Sequence, residues 1–304
     1  MISLIILNLI YASMYTMAKI STTVAQPVFM IGTRTLLGGV ISLLVYFIFF
    51  YSSDEINSLS KKEWTLILLV GFFNMYLCNA AEAWGLQYLP ASKAAFFYNL
   101  EPFFAALFSY FLFCEYMSWQ KWLGLCVGFV GFLPILLGPS HIIDTSAQFG
   151  FSTLANFSLL AASLLSVSSW IMVRALVRKR NISPFLINGV CMVFGSLFCF
   201  LHAFLDKSEP YVTSGHMKEF LQIAIIMAVF KYAIAYNLNT HLLKKNTTTS
   251  VVFFGFTATL FAKGIGILFF NGQLSFNFIL SIILVFIGLL IFNYEELKQD
   301  YNIK

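Results

Sequence analysis

The two halves of this chain are copies of each other, and that repetition constrains the fold more than any single motif. Pro184 lies 157 residues after Pro27 (184 − 27), and the same shift carries Gly38 onto Gly195, Lys61 onto Lys218 and Phe96-Phe97 onto Phe253-Phe254. It continues without a gap through Phe113 onto Phe270, Ser118 onto Ser275, Leu123 onto Leu280, Phe129 onto Phe286 and Gly131 onto Gly288. The copies occupy residues 1–138 and 151–295, with a linker at 139–150 and a tail at 296–304. Each copy reads as five apolar segments. Five crossings apiece would set the copies in the bilayer with opposite orientations. Inverted repeats of this kind build a site near the bilayer midplane that opens to either side in turn, so solute transport is the first expectation.

Composition places the chain in the membrane. Hydrophobic residues make up 60% and charged residues 10%, and mean hydropathy is +0.84; a soluble domain carries about 25% charged residues. Ten apolar runs are of the length a helix needs to cross the hydrocarbon core. They lie near 2–20, 28–50, 64–86, 91–113, 119–138, 151–175, 184–204, 218–242, 248–270 and 275–293. No ten-residue alternation of a β-barrel is present. The expected class is therefore an all-α integral membrane protein of ten transmembrane helices in two inverted five-helix repeats. The first run lacks a basic leader and a small-residue cleavage site, and reads as a retained helix rather than a signal peptide.

Charge placement sets the expected topology. With the N-terminus inside, Lys61, Lys62, Lys121, Arg174, Arg178, Lys179, Arg180, Lys244, Lys245, Lys298 and Lys304 lie on the inner side. Only Lys19, Lys93, Lys207 and Lys218 lie outside. That asymmetry follows the positive-inside rule, giving a multi-pass protein of the cell (inner) membrane with both termini cytoplasmic. The net charge of +5 thus reflects lipid and topology rather than nucleic acid, and Arg178-Lys179-Arg180 reads as an anchor at the anionic head groups. The five cysteines stand singly and read as packing residues.

Several stretches resemble a known family. Gly85-Leu86-Gln87-Tyr88-Leu89-Pro90-Ala91-Ser92-Lys93-Ala94-Ala95 is similar to the join between the third and fourth helices of the drug/metabolite transporter superfamily, EamA type. Leu100-Glu101-Pro102, Glu115, Trp122-Leu123-Gly124 and Gly128-Phe129-Val130-Gly131 continue the resemblance, and Lys19, Pro27 and Arg34 fit its first helix pair. The resemblance implies a ten-helix carrier built from two repeats. Members of that superfamily move amino acids, nucleotide sugars, purines, S-adenosylmethionine and other metabolites. The second copy departs from the pattern: Ala258, Thr259 and Gly272 stand where the first has Glu101, Pro102 and Glu115, and Lys263 stands where it has Ala106.

Ionisable groups inside the apolar runs are the candidate site, because each costs about 2.5–3.5 kcal/mol on insertion scales. Glu101 falls near mid-bilayer, and Pro102 after it disturbs the preceding turn, freeing carbonyls near Tyr98. Glu82 and Asn79 are three residues apart and share a helix face. Their repeat equivalents, Asn239 and Tyr236, share another with Tyr232, and interhelical hydrogen bonding is the competing role for these polar stripes. Lys231 and Lys263 are the basic counterparts, placed to pair with Glu101 or Glu82 or to take a substrate carboxylate. Together these residues predict a site that reads an amine and a carboxylate at once. Tyr98, Trp84 and Trp170 are the aromatic residues nearest to it.

Arg34 is expected to snorkel to the interface, with substrate contact as the alternative, and Glu115 to cap a loop or pack a helix. Pro102, Arg34 and Glu115 are thus assigned structural or gating roles. His202 and His241 have no second ligand at metal spacing, so neither a metal nor a cofactor is expected. There is no phosphate-binding GxxxxGK[ST] loop, which leaves a proton or a counter-transported solute as driving force. A small-molecule substrate and the lipid bilayer are the expected partners; the sequence does not set an oligomeric state. An amino-acid-like or S-adenosylmethionine-like solute, moved by exchange, fits an acid-plus-base centre with aromatics. The alternatives are an exporter of drugs, nucleotide sugars or purines, and, from another class, a membrane-embedded enzyme. The enzyme would need a convergent nucleophile and base, and no such grouping is found.

Overall fold

Proline marks the start of one helix in each half. The computed structural model describes residues 2–89, 91–114, 116–136, 149–206, 210–269 and 276–302. In it Pro27 opens the Pro27–Val45 helix and Pro184 opens Pro184–Leu205, each in the first turn. That turn has no intrahelical use for the missing N–H. Seven helical stretches among the described residues are long and apolar enough to cross a membrane: Pro27–Phe50, Lys61–Tyr88, Phe96–Phe113, Leu154–Arg178, Pro184–Leu205, Met217–Leu242 and Thr248–Ile265. Shorter apolar stretches cover Ile2–Met14 and Phe276–Phe292. There is no β-strand among the described residues, only a single antiparallel bridge between Ala25 and Val212. The fold is that of an all-helical integral membrane protein. Glu115 lies outside the described residues.

Three of these stretches carry π-helical turns, at Tyr46–Phe50, Gly71–Cys78 and Ala228–Tyr236, and the first residues of the last two are again 157 apart. A π-turn inserts one extra residue and shifts the face that follows; such turns recur at functional sites. Two others are interrupted. Ala91–Tyr98 ends, Asn99 and Leu100 form a turn, and Glu101–Phe113 begins with Pro102 in its first turn. Thr248–Phe253 and Gly255–Phe269 are separated at Phe254. Broken helices are tolerated at membrane depth where they border a cavity.

Glycine permits the closest helix pairs. A Cβ on Gly288 would meet the Gly124 carbonyl and the Gly128 nitrogen at 2.6 Å, which locks the Trp119–Leu136 helix onto Phe276–Asn302. Gly32, Gly39 and Gly189 do the same between Pro27–Val45 and Pro184–Leu205. By contrast, a Cβ on Gly255 or Gly264 would meet nothing within 4 Å.

The two ends of the bundle are tied differently. At one, Gln26 Nε2 donates to the Asp206 carbonyl at 2.9 Å, and the Thr213 amide donates to Val24. At the other, Ser60 and Glu63 form a capping box and Glu63 also takes Arg180 Nε at 2.6 Å. There Glu55 accepts from the Tyr46 hydroxyl and the Ser183 amide, and Lys244 donates to Asn181 at 3.0 Å. Two charges expected at the inner surface are instead buried: Arg174 lies over the Phe113 ring and Lys121 over that of Phe292.

Candidate functional site

A cavity of about 220 Å³ lies at the centre of the bundle, and the broken and widened helices supply much of its wall. Five residues that line it each carry a buried polar atom with no hydrogen-bond partner among the described residues: Arg34 Nε, Asn74 Nδ2, Asn99 Nδ2, Glu101 Oε1 and Asn239 Oδ1. Buried polar groups are nearly always paired. Five lining residues with an unpaired one make this cavity the candidate site.

The acidic part is built by two neighbouring helices. Glu82 stands one turn beyond Cys78, and Glu101 stands just past the turn that follows Tyr98. The Cys78 thiol lies 3.9 Å from the Tyr98 hydroxyl and donates to the Ala162 carbonyl at 3.2 Å. Both carboxylates therefore face the space from adjoining walls, with Ser166 on the lining beside them. The basic part is Arg34 and Lys231. Arg34 Cζ is 5.8 Å and Lys231 Nζ 5.5 Å from the centroid of the Tyr232 ring. No described carboxylate lies within ion-pair distance of either. A third wall is aromatic: the Tyr236 ring lies 5.2 Å from Trp170 and 6.3 Å from Tyr11, and stacks on Tyr232 at 5.3 Å.

Eight of the sequence-derived candidates line this cavity: Glu101, Glu82, Asn79, Tyr98, Lys231, Tyr236, Asn239 and Trp170. Tyr232 is fully buried behind the wall, supporting both cations. Trp84 does not line it: two residues from Glu82 it points some 200° around the helix, is 36% exposed and sets its ring 5.1 Å from that of Tyr88, tilted by 59°. Lys263 does not line it either, standing one turn beyond the lining residue Thr259. It forms no ion pair with Glu101 or Glu82, although the sequence offered it either of those pairings beside a substrate carboxylate. Pro102 is buried in the first turn after the break. Arg34, expected to snorkel outward, is 6% exposed and lines the cavity. Tyr11, Asn8, Asn74, Asn99 and Ser166 escaped the sequence reading, although polar residues within apolar runs were the available signal. Among the described residues no cluster of metal-ligating side chains occurs.

The profile of one family matches both halves, residues 1–137 and 153–294: the EamA-like transporter family. This chain belongs to that family. Among similar proteins, the S-adenosylmethionine/S-adenosylhomocysteine transporter of Chlamydia trachomatis serovar L2 is 30% identical over 99% of this chain and 91% of its own length. The protein of the same name from Chlamydia muridarum is 30% identical over 99% and 93%. An uncharacterized transporter of Bacillus subtilis is 22% identical over 94% and 88%. A crystal structure of a protein 14% identical in sequence superimposes with a TM-score of 0.76 over 96% of this chain and 95% of its own, showing the same fold. EamA-like membership makes the chain a membrane transporter.

Proposed function

We propose that this EamA-like transporter carries an S-adenosylmethionine-like solute, exchanging it for its thioether counterpart or for a proton by alternating access. The observation that carries this reading is that five residues lining one cavity, itself walled by two carboxylates and an aromatic cluster, each carry a buried polar atom unpaired among the described residues. A sulfonium and an ammonium suit Glu82 and Glu101, which would otherwise hold charge in low dielectric with no cation beside them. A purine ring suits Trp170, Tyr236 and Tyr11, since stacking on aromatic side chains needs no hydrogen-bond match. The names of the chlamydial relatives support the same class of substrate.

Ten crossings in two inverted repeats, 1–138 and 151–295, are part of the proposal, with both termini cytoplasmic in the inner membrane. The offset of 157 between the paired prolines and between two of the π-turns supports it. So does the lysine- and arginine-rich end at Lys61, Arg180 and Lys244, which the positive-inside rule assigns to the cytoplasm. Rocking of one repeat against the other would expose Glu101 and its neighbours to each side in turn.

A second reading is an amino-acid-like solute. Pockets for drug-sized ligands span about 300–1,000 Å³, and the 220 Å³ of this conformation suits an amino acid directly, whereas an adenosyl ligand needs a wider one. Thermal stabilisation of the purified protein against S-adenosylmethionine, S-adenosylhomocysteine, amino acids, purines and nucleotide sugars separates the two. The adenosyl reading expects the first two to stabilise most. Stabilisation by amino acids alone would replace it with the second.

A further inference from the structure

Among the described residues, the basic part of the cavity has no counter-charge within ion-pair distance. Arg34 is buried in the Pro27–Val45 helix; among the described residues its Nη1 reaches the Met227 sulfur, at 3.4 Å, and its Nε has no hydrogen-bond partner. Thioether sulfur is a weak acceptor and does little to offset a buried guanidinium. Lys231 shares the Tyr232 ring with it, and the next helix residue that lines the space beyond them is Tyr236, which is uncharged. A ring quadrupole attracts a cation, but two cations gathered on one ring repel each other unless an anion joins them. Glu82 and Glu101, the acids of the same cavity, make no ion pair with either.

We propose that Arg34 and Lys231 form a carboxylate clamp within the transport site. Arg34 grips the α-carboxylate of the solute through its planar fork, and Lys231 adds a point charge. Guanidinium is the group matched to bidentate carboxylate recognition. A carboxylate fits better than a phosphate, because a dianion would share this small space with Glu82 and Glu101, whereas a zwitterion answers both signs at once. The clamp makes the α-amino acid end of the solute the shared feature of all its substrates. It leaves discrimination between sulfonium and thioether to the two glutamates. This deepens the adenosyl reading, on which it rests only for what lies beyond the amino acid end.

The test compares ligands that differ only in the carboxylate, measured on the full-length protein in detergent. One pair is S-adenosylmethionine against its decarboxylated analogue; the other is L-methionine against 3-methylthiopropylamine. In the wild type the carboxylate-bearing member of a pair should bind at least about tenfold more tightly. Arg34→Gln should erase that preference, weakening the acid while leaving the decarboxylated partner unchanged or tighter bound. Should Arg34→Gln fail to fold, Arg34→Lys serves, and it should weaken the acid selectively because it keeps charge but loses the fork. If neither adenosyl compound binds the wild type, the adenosyl reading falls and the methionine pair alone decides the clamp. Equal weakening of both members of a pair by Arg34→Gln or Arg34→Lys, or no carboxylate preference in either pair, would overturn it.

Discussion

Gly38 passes so close to Tyr232 that a Cβ built on the glycine would lie 2.4 Å from the tyrosine Cβ. The contact seats the second helix directly on the residue whose ring carries Arg34 and Lys231. Its counterpart at the 157-residue offset is Gly195 against Met75, again at 2.4 Å. Both contacts join the two halves, one at the ring beneath Arg34 and Lys231 and the other at Met75.

Those two glycines should respond differently to alanine. Overpacking a tight contact costs about 1–3 kcal/mol, so Gly38→Ala and Gly195→Ala should both lower thermal stability in detergent. Only Gly38→Ala, by displacing Tyr232, should also weaken ligand stabilisation. Loss of ligand response in both variants to the same degree would show that the contact does not bear on the cavity wall in particular.

The acidic wall predicts charge selectivity. Glu101→Gln and Glu82→Gln should each weaken S-adenosylmethionine by about tenfold, the factor that corresponds to roughly 1.4 kcal/mol. S-adenosylhomocysteine, which lacks the sulfonium charge, should lose less. Competition binding of the two ligands against each variant measures the ratio; an unchanged ratio would remove the glutamates from sulfonium recognition.

The aromatic wall predicts a ring effect. Base–aromatic stacking is worth about 1–3 kcal/mol per base, so Trp170→Ala or Tyr236→Ala should weaken adenosyl ligands by about tenfold or more. Binding of methionine, which has no ring, should be little affected. Parallel titrations of both ligands would reveal a contrary result as equal losses.

Lys263 and Trp84 provide the control. Both stand off the lining, so Lys263→Met and Trp84→Leu should leave ligand affinity within about twofold, a difference below 0.5 kcal/mol. A tenfold loss from Lys263→Met would mean that the lysine enters the site in another conformation of the cycle.

Much of this site is legible in the sequence, because a charge inside an apolar run is costly wherever it lies. Glu101, Glu82 and Lys231 stand out for that reason, and Asn79, Tyr236 and Asn239 follow from spacing along their helices. What periodicity does not give is helix rotation. The π-turns at Gly71–Cys78 and Ala228–Tyr236 each add a residue to a turn, so faces before and after them lose phase, and Tyr232, inside one of them, falls behind the wall. Arg34 is the clearest miss. Its position one turn or two from a helix end permits snorkelling, but the side chain is buried on the cavity lining against Met227. The break at Asn99–Leu100 is signalled by Pro102, but its partner at Phe254 has no proline and no comparable signal.

Exchange across a bilayer tests the central claim most directly. Proteoliposomes containing the wild-type protein and loaded with S-adenosylhomocysteine should take up labelled S-adenosylmethionine saturably and faster than unloaded vesicles, with Glu101→Gln vesicles markedly slower. Uptake indistinguishable from protein-free vesicles, with the protein folded and reconstituted, would contradict the account.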